Sequence, residues 1–380
     1  MPTERELVEA AWSMVPTLKE RAQSCEDAGR VPKQTIVDFE RAGFYRIAQP
    51  RAFGGYEMSP EVLFTVAMVL ARGCPSSAWC LCLIGVHNWE PGLMDEQAAE
   101  DLWADDQTVR YSSSYAPVGQ IEVVEGGYRL SGHWEWSSGS NHCSWVMLGA
   151  MLPDADPESE RPPMQIGLLL PSEEYQIVEN WHVAGLKGTG SHDIVVNDAF
   201  VPEHRTHLLT ASSKQAFGRG IYDLPFGNVF GLCLCAVTQG IAEGALESYQ
   251  SYLMQRVHKY DGQAMAVDPF QQRRLSEAVV DIEANRARFH SIFRRLEAEL
   301  EEAVTVPPAR QIKENWELQS IAHRNADIVT TLMRASGGGA QRAGHSMQRY
   351  FRDINAAVAH AFLGIDRGSL QFSRSLLKSE

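Results

Sequence analysis

Apolar residues recur at three- and four-residue spacing from about residue 4 to 104, through ERELVEAAWSMVPTLKERA, KQTIVDFERAGF, PEVLFTVAMVLARG and SSAWCLCLIGVHNW. That spacing predicts an opening domain of packed helices. Between about 107 and 203 the pattern changes to QTVRYSSSYA, QIEVVEGGYRLSGHWEW, SWVMLGAML, MQIGLLLP and HDIVVNDAFV, separated by Gly-Gly, Pro-rich and acidic breaks. These segments read as strands of a compact β domain. Its one long irregular break, PDADPESERPP, reads as a solvent loop. After Pro225 the helical spacing returns in blocks near 227 to 260, 268 to 303, 309 to 336 and 346 to 375, lengths that require a bundle. The pattern therefore predicts a mainly α chain with a central β domain, divided at about 1–106, 107–208 and 209–380.

Composition narrows the class. Hydrophobic residues make up 44% and charged residues 22% of the 380, and no apolar run reads as the ~18 residues of a membrane span. The N-terminus, MPTERELVEAAW, lacks the features of a signal peptide, so a soluble cytoplasmic protein is expected. A formal charge of −14 argues against a nucleic-acid surface. The seven cysteines show no C-x-x-C spacing, so buried reduced thiols are expected and no metal site.

Three landmarks carry a family resemblance: ERAGFYRIAQPRAFGGYEMSP, the run WHVAGLKGTGSHDIVVNDAFVPEHR, and MQRYFRDINAAVAH with its Arg-Asp pair. Together with the domain order, they resemble the acyl-CoA dehydrogenase superfamily over nearly the whole chain. The resemblance implies an N-terminal helical domain, a small β-barrel or sandwich, and a C-terminal four-helix bundle that serves oligomerisation and the flavin site. Within the superfamily, RYSSSYAPVGQIEVVEGGYRLSGHWEWSSGSNHCSWVMLGA is similar to flavin-dependent phenol hydroxylases, above all those acting on secosteroids and more loosely the hydroxyphenylacetate hydroxylase oxygenase components. The dehydrogenases commonly carry a Glu base after the Arg-Asp pair. Here that stretch reads NAAVAHAFLGID, with His360 near the position and no Glu between Glu317 and Glu380.

The resemblance implies the oxygenase component of a two-component monooxygenase, in which reduced FMN or FAD and O₂ form a C4a-hydroperoxyflavin that hydroxylates a phenol to a catechol. It implies a flavin lined by Trp79, Ser112, Ser113, Ser114, Trp136, Ser137, Ser138, Arg256, Gly338, Gly339 and His360. Hydroxyls suit the flavin's N5 and O4, indoles can cover the ring, and glycine admits close backbone approach. Ser137 and Ser138 form the strongest pair, with the choice between them open. A phenol is more reactive without its proton, so a neutral histidine is the expected base. His360 is one candidate. The other is His87, eight residues beyond Trp79 and so roughly on its face of a helix, although a core-edge histidine would look the same. His142 and His192 read as surface or loop positions. Arg256 is preferred over Arg273 and Arg274 for the flavin phosphate, across a subunit boundary of the family's homotetramer; a solvated helix face is the plain alternative. No Rossmann or P-loop fingerprint is present, which implies a separate NAD(P)H-dependent flavin reductase. Rival readings are an acyl-CoA or nitroalkane-type flavin dehydrogenase or oxidase of the same fold, and N- or S-oxygenation.

Overall fold

The computed structural model describes residues 1–152, 164–209, 216–218, 220–257, 262–302 and 305–377. The PDADPESERPP stretch lies outside them. Five helices open the chain: α1 (Glu4–Ala28), α2 (Lys33–Arg41), α3 (Pro60–Ala71), α4 (Pro75–His87) and α5 (Glu96–Trp103). Helix α1 begins where Thr3 and Glu6 close a reciprocal capping box, and it ends at Gly29 in the left-handed region, φ 63°. Every residue of α4 is buried, as are ten on α3, because α3 packs between α1, α4 and the C-terminal bundle, and α4 between that bundle and the first β strand.

Seven strands follow among the described residues: β1 (Tyr111–Val124), β2 (Gly127–Ser137), β3 (Trp145–Met151), β4 (Gln165–Pro171), β5 (Gln176–Val178), β6 (His192–Pro202) and β7 (Thr206–Leu208). They form one sheet in the order β5-β6-β2-β1-β3-β4-β7, antiparallel except for the parallel pair β1 and β3. The first half of β1 pairs with β3 and the second half with β2, with a register shift between Ser114 and Gly119. Leu130, Trp134, Ile194 and Val196 on one wing share a core with Val146, Leu148, Leu168 and Leu170 on the other, so the sheet curls onto itself like a sandwich.

The C-terminal half comprises α6 (Phe226–Gln255), α7 (Pro269–Glu302), α8 (Pro308–Ala335), α9 (Ser346–Ala357) and α10 (Ile365–Leu377). Two expectations change here. Helix α6 is long and apolar enough to cross a membrane, contrary to the reading that no run is, but 94% of its apolar window is buried. It is a core helix whose buried Gln239 is paired: Asn325 donates to Gln239 at 2.9 Å and Asn285 to Asn325 at 2.8 Å, tying α6, α7 and α8 in register. The block read as one helix from 346 to 375 is broken, and His360 sits in the break rather than on a helix. Its Nδ1 accepts the Phe362 N–H at 3.3 Å and starts a short 3₁₀ turn, Ala361–Leu363.

The Gly-Thr-Gly-Ser turn binds the three units together. Leu186 N–H donates to Asp353 of the Arg-Asp pair at 2.6 Å, Gly188 N–H to Ser76 on α4 at 3.2 Å, and Arg352 to Ala184 O and Glu26, both at 2.6 Å. A Cβ on Gly185 would lie 2.1 Å from the Arg352 carbonyl, so only glycine fits that approach. His192, read as a loop position, is buried at the start of β6, and His142 buries its Nε2 without a partner among the described residues.

Candidate active site

Strand β2 delivers its end to the site through a bulge. Trp134 pairs with Ile194 and Ser137 with His192, which leaves one extra residue on β2. Trp136 absorbs the kink at φ 69°, rare for an aromatic residue, and is turned out to 65% exposure. Ser137 then points inward, fully buried, and donates to Ser112 at 2.8 Å. Ser138 accepts the Trp79 indole N–H at 3.1 Å and bonds Ser191 at 2.8 Å, which in turn bonds Thr189 at 2.7 Å. Two residues beyond Ser138 the Ser140 Oγ is buried without a partner among the described residues.

An aromatic wall continues from Trp79. Its ring lies 5.8 Å from His360, His360 lies 5.9 Å from Phe362, Phe362 lies 6.1 Å from Phe230, and Phe230 lies 5.4 Å from His87. Burial lowers the His360 imidazole to about 4, so it is neutral at pH 7. Because its Nδ1 accepts the Phe362 N–H, its one proton resides on Nε2, which makes it a hydrogen-bond donor.

At the other end of the wall the sequence left several partners unforeseen. Strand alternation puts Tyr111, Ser113 and Tyr115 on the face toward α4, and Ser112 and Ser114 on the other, where Ser114 donates to Glu135 O at 2.8 Å. His87 stacks on Tyr111 at 5.0 Å, and its Nδ1 lies 3.3 Å from the Tyr115 hydroxyl and 3.4 Å from Glu90 Oε2. Glu90 is fully buried and also receives Tyr115 at 2.7 Å, Tyr111 at 3.1 Å and His207 Nε2 at 2.7 Å. Burial alone would raise its carboxyl, but the hydrogen bonds of His207 and then His87 overturn that and lower it. The i, i+3 spacing of His87 and Glu90 was a readable signal; His207, on β7, gave none.

The remaining predicted residues lie elsewhere. Arg256 ends α6 and sits over the Tyr252 ring at 5.4 Å and against Gly339, where a Cβ would come within 2.2 Å of its Nη2. Beside Gly338 there is open space. Arg256, Ser248, Ser251, Tyr252, Gln255, His345 and Ser346 line a pocket of about 410 Å³. From Phe230, beside His87, to Arg256 the helix rises about 39 Å, so the Arg256 end lies far from the His87 end of the wall. Arg273 is exposed and pairs with Glu277 at 2.7 Å.

A hydroxyl row with an orphaned hydroxyl, flanked by one buried and one exposed indole, fits a flat heteroaromatic group that has a hydrogen-bonding edge. The fold that builds this site is acyl-CoA dehydrogenase-like, and residues 232–364 match the family described as "Acyl-CoA dehydrogenase, C-terminal domain". Over 357 residues the chain is 35% identical to the "Flavin-dependent monooxygenase, oxygenase subunit HsaA" of Rhodococcus jostii (strain RHA1), covering 92% of each. It is 31% identical to the "FADH(2)-dependent resorcinol hydroxylase, oxygenase component" of Rhizobium sp. (strain MTP-10005), covering 94% of this chain and 91% of that one. Its fold superposes on the crystal structure of 3-HSA hydroxylase from Rhodococcus sp. RHA1 with a TM-score of 0.91 at 33% identity, covering 98% and 96% of the two chains. The chain belongs to the family of flavin-dependent monooxygenase oxygenase components.

Proposed function

We propose that this monooxygenase hydroxylates a phenol ortho to its hydroxyl, giving a catechol, with His87 as the base and His360 as a donor to the reacting oxygen. The observation that carries the reading is the contrast between the two histidines. His360 offers an N–H, whereas His87 has its Nδ1 against two oxygens and makes no hydrogen bond from Nε2 within the described residues. A bare imidazole nitrogen on an aromatic-walled site suits removal of a phenol proton; S-oxygenation would need no such base. Ser138, joined to Trp79 and Ser191, supplies a hydroxyl for the flavin edge, and Trp136 covers the ring from outside. Bound reduced FMN or FAD supplies the electrons that activate O₂, one atom going to the ring and the other to water.

Reduced flavin comes from a separate NAD(P)H-dependent reductase, a reading supported by the relatives' naming as an oxygenase subunit or component. The position of Arg256, about 39 Å along α6 from Phe230, is compatible with a homotetramer in which the Arg256 and Gly338–Gly339 end of one subunit completes a neighbour's flavin site. Met254, Val257, Val267 and Phe270 are exposed at that end, as an interface between copies would require. Anaerobic titration tests the reading: reduced flavin should bind more tightly than oxidised, and the purified protein should be nearly colourless. A yellow protein holding stoichiometric oxidised FAD would favour a dehydrogenase or oxidase.

A further inference from the structure

We infer that Glu90, clamped by His207, is the positioning residue that fixes the tautomer of His87 and leaves Nε2 as its proton-accepting atom. The inference rests on the proposal that His87 is the base, and it names what makes that histidine one.

A count of protons around Glu90 carries the argument. An ionised carboxylate only accepts hydrogen bonds. Tyr115 has a single hydroxyl proton and spends it on Glu90 Oε2 at 2.7 Å. The two oxygens that face His87 Nδ1, those of Glu90 and Tyr115, are therefore both acceptors, at 3.4 and 3.3 Å. Nδ1 must carry the proton and Nε2 must be bare. Tyr111 holds the ring from the side, stacked at 5.0 Å, and shares its one hydroxyl proton between the His87 carbonyl oxygen and Glu90 Oε2. Burial and then the Glu90 charge raise both phenols well above 10, so they remain donors.

His207 clamps this fully buried carboxylate: Nε2 meets Glu90 Oε1 at 2.7 Å, and Nδ1 lies 3.3 Å from Leu208 O. The charged and titratable groups facing Glu90 among the described residues are His87 from its own segment, Tyr111 and Tyr115 from β1, and His207 from β7. When a phenol is bound, its O–H bond breaks, the proton goes to Nε2, and the electron pair stays on the phenolate oxygen. The new positive charge on His87 then faces Glu90 through Nδ1–H, as in other histidine bases oriented by a buried carboxylate.

The test uses the ionisation state of the substrate. In the full enzyme with reduced flavin and O₂, product formed by His87→Gln, Glu90→Gln and His207→Gln is compared for a phenol that is neutral at the assay pH and a halogenated phenol that is already ionised. The inference expects Glu90→Gln to lose on the order of 100-fold with the neutral phenol and less than about 3-fold with the ionised one, which needs no base. His207→Gln should show the same selectivity to a smaller degree, and it carries the comparison if Glu90→Gln does not fold. A merely structural role for Glu90 would lower both substrates equally. If His87→Gln is selective while Glu90→Gln and His207→Gln are not, the inference fails and the base assignment stands. If His87→Gln itself is unselective, the base assignment fails, and the inference with it.

Discussion

His360 can be separated into its two bonds by three substitutions. Asparagine places an oxygen near the Nδ1 position, so it can keep the bond from Phe362 N–H while losing the ring. Glutamine reaches the Nε2 position with an amide N–H and so keeps the donor. Alanine loses both. The cap holds a 3₁₀ turn at 3.3 Å, and losing such a cap costs about 0.5–2 kcal/mol, which should make His360→Ala the less stable of the Asn and Ala pair. A lost hydrogen bond to the reacting oxygen costs about 1–3 kcal/mol, or roughly 5- to 150-fold in oxygen transfer, and Asn and Ala should lose it alike. His360→Gln should recover most of it. The assay is product formed per flavin oxidised, with released H₂O₂ measured alongside and thermal melting as the stability control. Burial already holds His360 neutral down to about 4, so the pattern should not change between pH 6 and 8. Glutamine as impaired as alanine would refute the donor role, because an amide can donate but cannot serve as a base.

Three further substitutions test other parts of the site, and a fourth tests the hub beneath it. Ser138→Ala should raise H₂O₂ release several-fold with little change in melting temperature. Ser137→Ala should instead cost about 1 kcal/mol in stability, because its hydroxyl is fully buried on Ser112; the reverse pattern in coupling and melting would exchange their roles. Arg256→Ala should weaken capture of reduced flavin in the assembled enzyme roughly tenfold, read by titration, and unchanged affinity would remove it from the cofactor site. Asp353 is raised to about 7, first by burial, against an ordinary 3.8. The folded chain therefore binds the extra proton between those values, and stability is lost as pH rises through 7. Asp353→Asn, which keeps an acceptor for Leu186 N–H, should melt above the wild type at pH 7.5 by a margin that shrinks toward pH 4.5. A margin independent of pH would contradict that reading.

The fold was legible because its signals are local. Period changes near 107 and 225 mark the limits of the β segments, and the Gly-Thr-Gly-Ser turn and Arg-Asp pair are short runs that prove to bond each other. What was not legible depends on single residues or on distance in the chain. One extra residue in β2 reverses the side-chain parity, burying Ser137 and turning out Trp136. A side-chain bond from a backbone N–H two residues on breaks the last helix at His360. Glu90 and His207 are 117 positions apart, and no periodicity joins them. The distance of Arg256 from Phe230 follows from 1.5 Å per residue along α6, but only once that helix is known to be unbroken. Helix α6 escaped notice as an apolar run because Gln239, Glu243 and Glu247 interrupt its text, although all three are paired inside the fold.

The central claim is that this chain inserts one atom of O₂ into a phenol using flavin reduced elsewhere. The protein is mixed anaerobically with chemically reduced FMN or FAD, exposed to ¹⁸O₂ with a panel of phenols, and the products are weighed by mass spectrometry. The account predicts at least one catechol carrying a single ¹⁸O, in amounts approaching the flavin oxidised and with no reductase present. Hydrogen peroxide as the sole oxygen product with every phenol, or a catechol whose new oxygen comes from water, would contradict it.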